Sequence, residues 1–154
     1  MPLRRFQKNR VVAALLVLLC AVLIGSRVRS VLPELSYLPL VTLIMLAFFL
    51  EFAELFLVSA IALLLLNWKP VLTPEMVIIA LFPLVVWTCS RFLPGRTWIG
   101  NLLWAAVGVA LIITAASPSF VTNNPAMVIM TICTGAVSGT FLFFLFRYFY
   151  APTL

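Results

Sequence analysis

The 154 residues contain no histidine and no aspartate, and the only acidic side chains are Glu34, Glu51, Glu54 and Glu75. Each absence removes a class of chemistry. Without histidine, a rhomboid-type serine protease has no base, and a di-iron carboxylate centre lacks its Glu-x-x-His ligands. Without aspartate there is no aspartyl membrane protease. Cys20, Cys89 and Cys133 are scattered through apolar runs with no C-x-x-C pair, so no thiol oxidoreductase motif and no disulfide framework can be read. They read as small apolar packing residues. Nothing positive supports a glutamate-only acid–base mechanism. The chain is therefore expected to be non-enzymatic, with no cofactor and no metal site.

Charge is scarce as well. Only 9% of the residues are charged, 65% are hydrophobic, and the mean hydropathy is +1.24. Soluble domains are usually about 45–50% apolar, so the composition describes an integral membrane protein. The polar connections are too short to hold a separate soluble headpiece, and residues 1–154 form one membrane domain. The net charge of +6 would suggest nucleic acid in a soluble protein. Here the basic residues cluster at the ends of apolar runs, as positive charge does on the cytoplasmic side of a membrane, and no nucleic-acid partner is expected.

What is present is organised around one stretch, Phe48-Phe49-Leu50-Glu51-Phe52-Ala53-Glu54-Leu55-Phe56. It sits inside an apolar run of 32 residues from Leu35 to Leu66. As one helix that run would rise about 48 Å, against a hydrocarbon core of about 30 Å. The chain therefore either turns at the two glutamates or buries both charges.

The remaining segments read in order. Arg4, Arg5, Lys8 and Arg10 precede an apolar span at 11–26. This start has the outline of a signal peptide, but Arg27-Val28-Arg29 is no small-residue cleavage site, so an uncleaved first span is expected. Pro33 and Pro39 favour a helix start near Ser36, giving spans at 36–50 and 52–66. Asn67-Trp68-Lys69-Pro70 closes the third. Thr73-Pro74-Glu75 is a strong helix opening, with a cap, a first-turn proline and an acid on the helix dipole. It starts a span at 75–90, in which Pro83 should kink the helix or free a carbonyl near Ile79. Arg91–Arg96 is a basic turn, and a fifth span runs over 97–116. Ser117–Pro125 reads as a turn, and a sixth span at 126–146 ends in the interfacial Arg147-Tyr148-Phe149-Tyr150.

Positive-inside counting decides between five and six spans. Six spans put Arg4, Arg5, Lys8, Arg10, Arg91, Arg96 and Arg147 inside, seven against the three of Arg27, Arg29 and Lys69. One long helix across 35–66 gives five against five. The sequence therefore predicts an all-α bundle of six transmembrane spans with both termini cytoplasmic. The second and third helices, at about 15 residues, fall below the usual 17–25.

Few residues are candidates for a site. Glu51 and Glu54, spaced i, i+3, could share a helical face and form a cation or proton site at membrane depth. Charge counting instead favours a cytoplasmic hairpin turn. Arg91 and Arg96 fall on the same side, so the two turns could form a polar patch that docks a partner, or they could be ordinary solvated anchors. Asn101, one turn into the fifth span, could hydrogen-bond across helices or line a pocket. Gly135-x-x-x-Gly139, with Ala136 and Ser138, makes a small face that permits close helix contact, either within the bundle or with another protein.

Six short-looped spans with a basic N-terminus and short second and third helices resemble the rod shape-determining protein MreD family. That family is similar in layout to the substrate-binding S components of energy-coupling factor transporters. The closest local stretch is Leu55 to Leu103, where the end of span three, the Pro70–Pro74 turn, span four and the basic Arg91–Asn101 connection follow the same order. The resemblance implies a multi-pass protein of the bacterial cytoplasmic membrane that serves cell-wall elongation by binding the bitopic scaffold protein MreC. Two other readings stand beside it. A small-molecule transporter or S component would line a polar cavity with Glu51, Asn101 or the loops. A structural subunit of another complex would use the small face of span six.

Overall fold

The computed structural model describes residues 3–28, 37–66, 73–92, 98–116 and 118–150. Among these residues the fold is all-helical, with α1 (Leu3–Val28), α2 (Leu38–Leu46), α3 (Phe52–Leu66), α4 (Pro74–Phe92), α5 (Trp98–Ala116), α6 (Pro118–Asn123) and α7 (Pro125–Tyr150) in chain order. Three segments, Pro74–Phe92, Trp98–Ala116 and Pro125–Tyr148, are long and apolar enough to cross a membrane, while Val11–Gly25 and Phe52–Leu66 are shorter apolar helices. These features mark a membrane protein. The outward faces agree, since Leu64, Leu103, Val137 and Phe141 are all more than half exposed. Outward apolar surface on this scale suits lipid better than water.

The second helix departs from its expected span. The sequence predicts one helix over 36–50, but α2 has nine residues and gives way to a turn at 47–50. At 1.5 Å per residue it is about 14 Å long, well short of a hydrocarbon core. Its sequence, LPLVTLIML, is apolar all round, and a helix of that kind belongs in an interior. Every residue from Pro39 to Leu46 is buried. α2 packs against α1, α3, α4, α5 and α7, so it is the centre of the bundle. Its one polar side chain, Thr42, is satisfied within the helix by donating to the Leu38 carbonyl at 2.8 Å.

Small residues let the neighbouring helices close around it. A Cβ on Gly108 of α5 would stand 2.6 Å from Ile44 Cδ1 of α2 and 2.8 Å from Phe82 Cε1 of α4. On Gly135 of α7 it would meet Val109 Cγ2 at 2.7 Å, and on Gly139 it would meet Val41 Cγ1 at 2.8 Å and Ala105 Cβ at 3.1 Å. The Gly135/Gly139 face therefore packs inside the bundle, on α5 and α2. Close backbone approach of this kind is a main source of helix association in lipid.

Local sequence explains the other boundaries. The Thr73 carbonyl accepts from Met76 and Val77 at 3.0 and 3.4 Å, which starts α4 where Pro74 occupies the first helical position. The helix continues through the buried Pro83, whose missing N–H leaves the Ile79 carbonyl without its usual donor. The stretch expected as a turn at 117–125 contains α6 instead. Pro118 opens this helix, because its fixed φ suits a first turn. Pro125 opens α7 in the same way, with Val128 donating to the Asn124 carbonyl at 3.2 Å.

Candidate functional site: the Glu51 turn and the end of α4

The chain reverses at Ala47–Glu51, and each backbone N–H there has an acceptor. Ala47 donates to Leu43 at 3.0 Å, Phe48 to Met45 at 3.1 Å, Phe49 to Leu46 at 3.0 Å and Leu50 to Leu46 at 2.9 Å. The Glu51 N–H donates to Glu54 Oε2 at 3.1 Å, and the Glu51 carbonyl accepts from Leu55 at 2.8 Å. Glu51 is thus the N-cap of α3 and Glu54 the third residue of its first turn, which is the glutamate half of a capping box. The i, i+3 spacing serves to start a helix and leaves Glu51 exposed and Glu54 half-buried.

Trp87 of α4 holds the turn from the side. Its Nε1–H donates to the Leu50 carbonyl at 3.1 Å. Its ring lies 5.1 Å from that of Phe52, and the Arg91 guanidinium sits 4.5 Å from its centroid, within cation–π range. On the other side Phe48 and Phe49 pack on α7. Ring centroids are 6.1 Å apart for Phe48–Phe143, 5.1 Å for Phe49–Phe143 and 5.0 Å for Phe49–Phe146. The turn is therefore wedged between α4 and α7.

Glu51, Phe52 and Arg91 are brought to one end of the bundle and left exposed. The connection is through Trp87; among the described residues no ion pair joins Arg91 to either glutamate. Arg96 lies outside the described residues. Trp87 and Phe52 join the group without having stood out as candidates in the sequence. The available signal is the i, i+4 spacing of Trp87 and Arg91, which puts ring and guanidinium on one face of a helix.

Asn101 stands apart from this group. It is completely buried on α5, and neither its Nδ2 nor its Oδ1 has a hydrogen-bond partner. The expected interhelical hydrogen bond does not form, because its α7 neighbour is Gly139, which offers no side chain; a Cβ there would stand 3.6 Å from Asn101 Nδ2. The hydroxyl of buried Ser59 on α3 is likewise unpartnered. Buried Thr131 donates to the carbonyl one turn back, Met127, at 2.8 Å. Among the described residues the buried polar side chains are Thr42, Ser59, Asn101 and Thr131. Comparison with family models, with curated proteins and with solved structures gave no match.

Proposed function

We propose that the chain is a non-enzymatic integral membrane protein acting as a subunit or scaffold partner in a membrane complex. The observation that carries this reading is the Leu50–Glu51 turn, fixed by the Trp87 hydrogen bond, which presents Glu51, Phe52 and Arg91 at one end of the bundle. Two charge signs around an exposed aromatic ring give a partner one favoured orientation. The centre of the bundle is filled by the aliphatic α2, which favours a scaffold over a protein with a polar passage. In its narrower form, drawn from the resemblance to MreD, the membrane is the bacterial cytoplasmic membrane, both termini face the cytoplasm, and the partner is an MreC-like bitopic protein serving peptidoglycan elongation.

Affinity capture of the tagged chain from bacterial membranes tests this. The expected result is a bitopic membrane protein in stoichiometric amount, released when Glu51→Lys and Arg91→Glu are combined in a chain that still elutes as a single species. Undiminished capture by the charge-reversed chain would remove the docking surface. An energy-coupling ATPase in place of the bitopic protein would turn the assignment to transport.

A further inference from the structure

The helices packed around α2 fall into two groups once the positions of their charges are considered. α1, α3 and α4 make one continuous wall, since α3 packs against both α1 and α4. The uncharged part of α1 runs over 11–26, that of α3 over 55–66 and that of α4 over 76–90. These stretches measure about 24, 18 and 22 Å. α4 falls into this group because Glu75 and Arg91 lie inside its 19 residues. α5 and α7, packed on each other, differ: α5 is uncharged throughout and α7 is uncharged over 125–146. Their uncharged lengths are about 28 and 33 Å, and only these match a hydrocarbon core of about 30 Å. The short wall nevertheless faces outward. Val12, Leu16, Leu19 and Leu23 form an exposed stripe along α1, and Leu64 of α3 and Leu81 of α4 are exposed beside it.

We propose that the α1/α3/α4 wall is a lipid-contact surface that draws the bilayer thin on one side of the bundle, while α5 and α7 stand in lipid of ordinary thickness. A span too short for its bilayer is accommodated by thinning, by snorkelling of flanking residues or by oligomerising. Snorkelling needs the long stem of a lysine or arginine, and glutamates set two of the limits here. Glu54 bounds α3 at the Glu51 end and Glu75 bounds α4 at the other end, so both leaflets are drawn in. Association with a second copy is disfavoured by the side chains of the stripe, which are all branched aliphatics. The glycines that permit close helix contact in lipid, Gly108, Gly135 and Gly139, are used inside the bundle.

The experiment is a spin-label depth measurement on the full chain, its three cysteines replaced by serine, in dioleoyl phosphatidylcholine bilayers. Val12→Cys, Leu16→Cys, Leu19→Cys and Leu23→Cys sample α1, and Val107→Cys, also exposed, samples the middle of α5. Depth is read from nitroxide collisions with oxygen and with a water-soluble nickel chelate. The expected profile along α1 rises and falls, with its maximum between positions 16 and 19. That maximum should be about 3 Å shallower than the depth at position 107, half the difference between a stretch of about 24 Å and a core of about 30 Å. In a bilayer of 14-carbon monounsaturated chains the difference should vanish. Equal maximal depths in the dioleoyl bilayer would overturn the proposal. So would a profile that only rises along α1, which would mean a displaced helix in an undisturbed bilayer. Spin–spin broadening between labels at position 19 of different chains would also overturn it, since a second copy would then cover the wall. None of these results bears on docking at Glu51, which is read by capture of a partner.

Discussion

Trp87 ties the Leu50 turn to Phe52 and Arg91 at the Glu51 end. Trp87→Phe keeps the ring beside Phe52 and Arg91 but removes the donor to Leu50. Leu50 is only 3% exposed, so its carbonyl would be left unpaired at a cost of about 1–3 kcal/mol. Thermal unfolding in nanodiscs should show that loss, with Trp87→Ala lower still. Asn101 should behave in the opposite way. Its amide is buried with no partner, so Asn101→Val should raise stability by about 1 kcal/mol, and a fall of that size would show that the amide is bonded after all. The membership of Asn101 in a helix interior is legible from its place in an apolar span. Its missing partner is not, because that depends on which α7 residue faces it, and Gly139 lies two helices further along the chain in no readable register.

At the scale of elements, the two glutamates show how one spacing can serve different ends. The length of the apolar run from Leu35 to Leu66 makes a turn near Glu51 legible from the residues alone, since so long a helix overshoots a bilayer. The use of Glu54 as a helix cap is equally available in the i, i+3 spacing, but that spacing also fits a shared helical face. Glu54→Ala should cost α3 about 0.5–2 kcal/mol, read as a lowered unfolding midpoint. The shortness of α2 is hidden by its composition, because an apolar run looks the same whether lipid or protein surrounds it. The α5–α7 contact gives the sharper element-scale prediction. Gly139→Leu must displace Val41 and Ala105, and overpacking of this kind costs about 1–3 kcal/mol or more. Ser138→Leu, on the half-buried neighbouring position, should cost less, and the difference between the two should appear in the same unfolding assay.

For the whole molecule, composition makes the membrane setting legible, and the fold supports it with three helices of spanning length. The path of the chain between them is less legible, because α2 and α3 are each shorter than a usual span and the basic residues report sides of the membrane without reporting depth. Depth can be measured directly. In nanodiscs, where both faces are open to the reagent, and in a chain with its three cysteines replaced by serine, Glu51→Cys should react fully with a water-soluble thiol reagent, and Ser59→Cys, buried on α3, should not react until the protein is unfolded. Protection at position 51 would move the turn into the hydrocarbon and return the two glutamates to an intramembrane site.

The central position of α2 also has a consequence for the order of events during synthesis. This helix is made early, yet α5 and α7, which cover much of it, are made last. A nine-residue helix without those neighbours has too few turns to hold itself together, so the hairpin it forms with α3 must stay incomplete until the ribosome has released most of the chain. The bundle should therefore close in one late step around α2. A chain stopped before α7 should leave residues 38–50 open to proteolysis, while α4, long enough to span alone, is already in place.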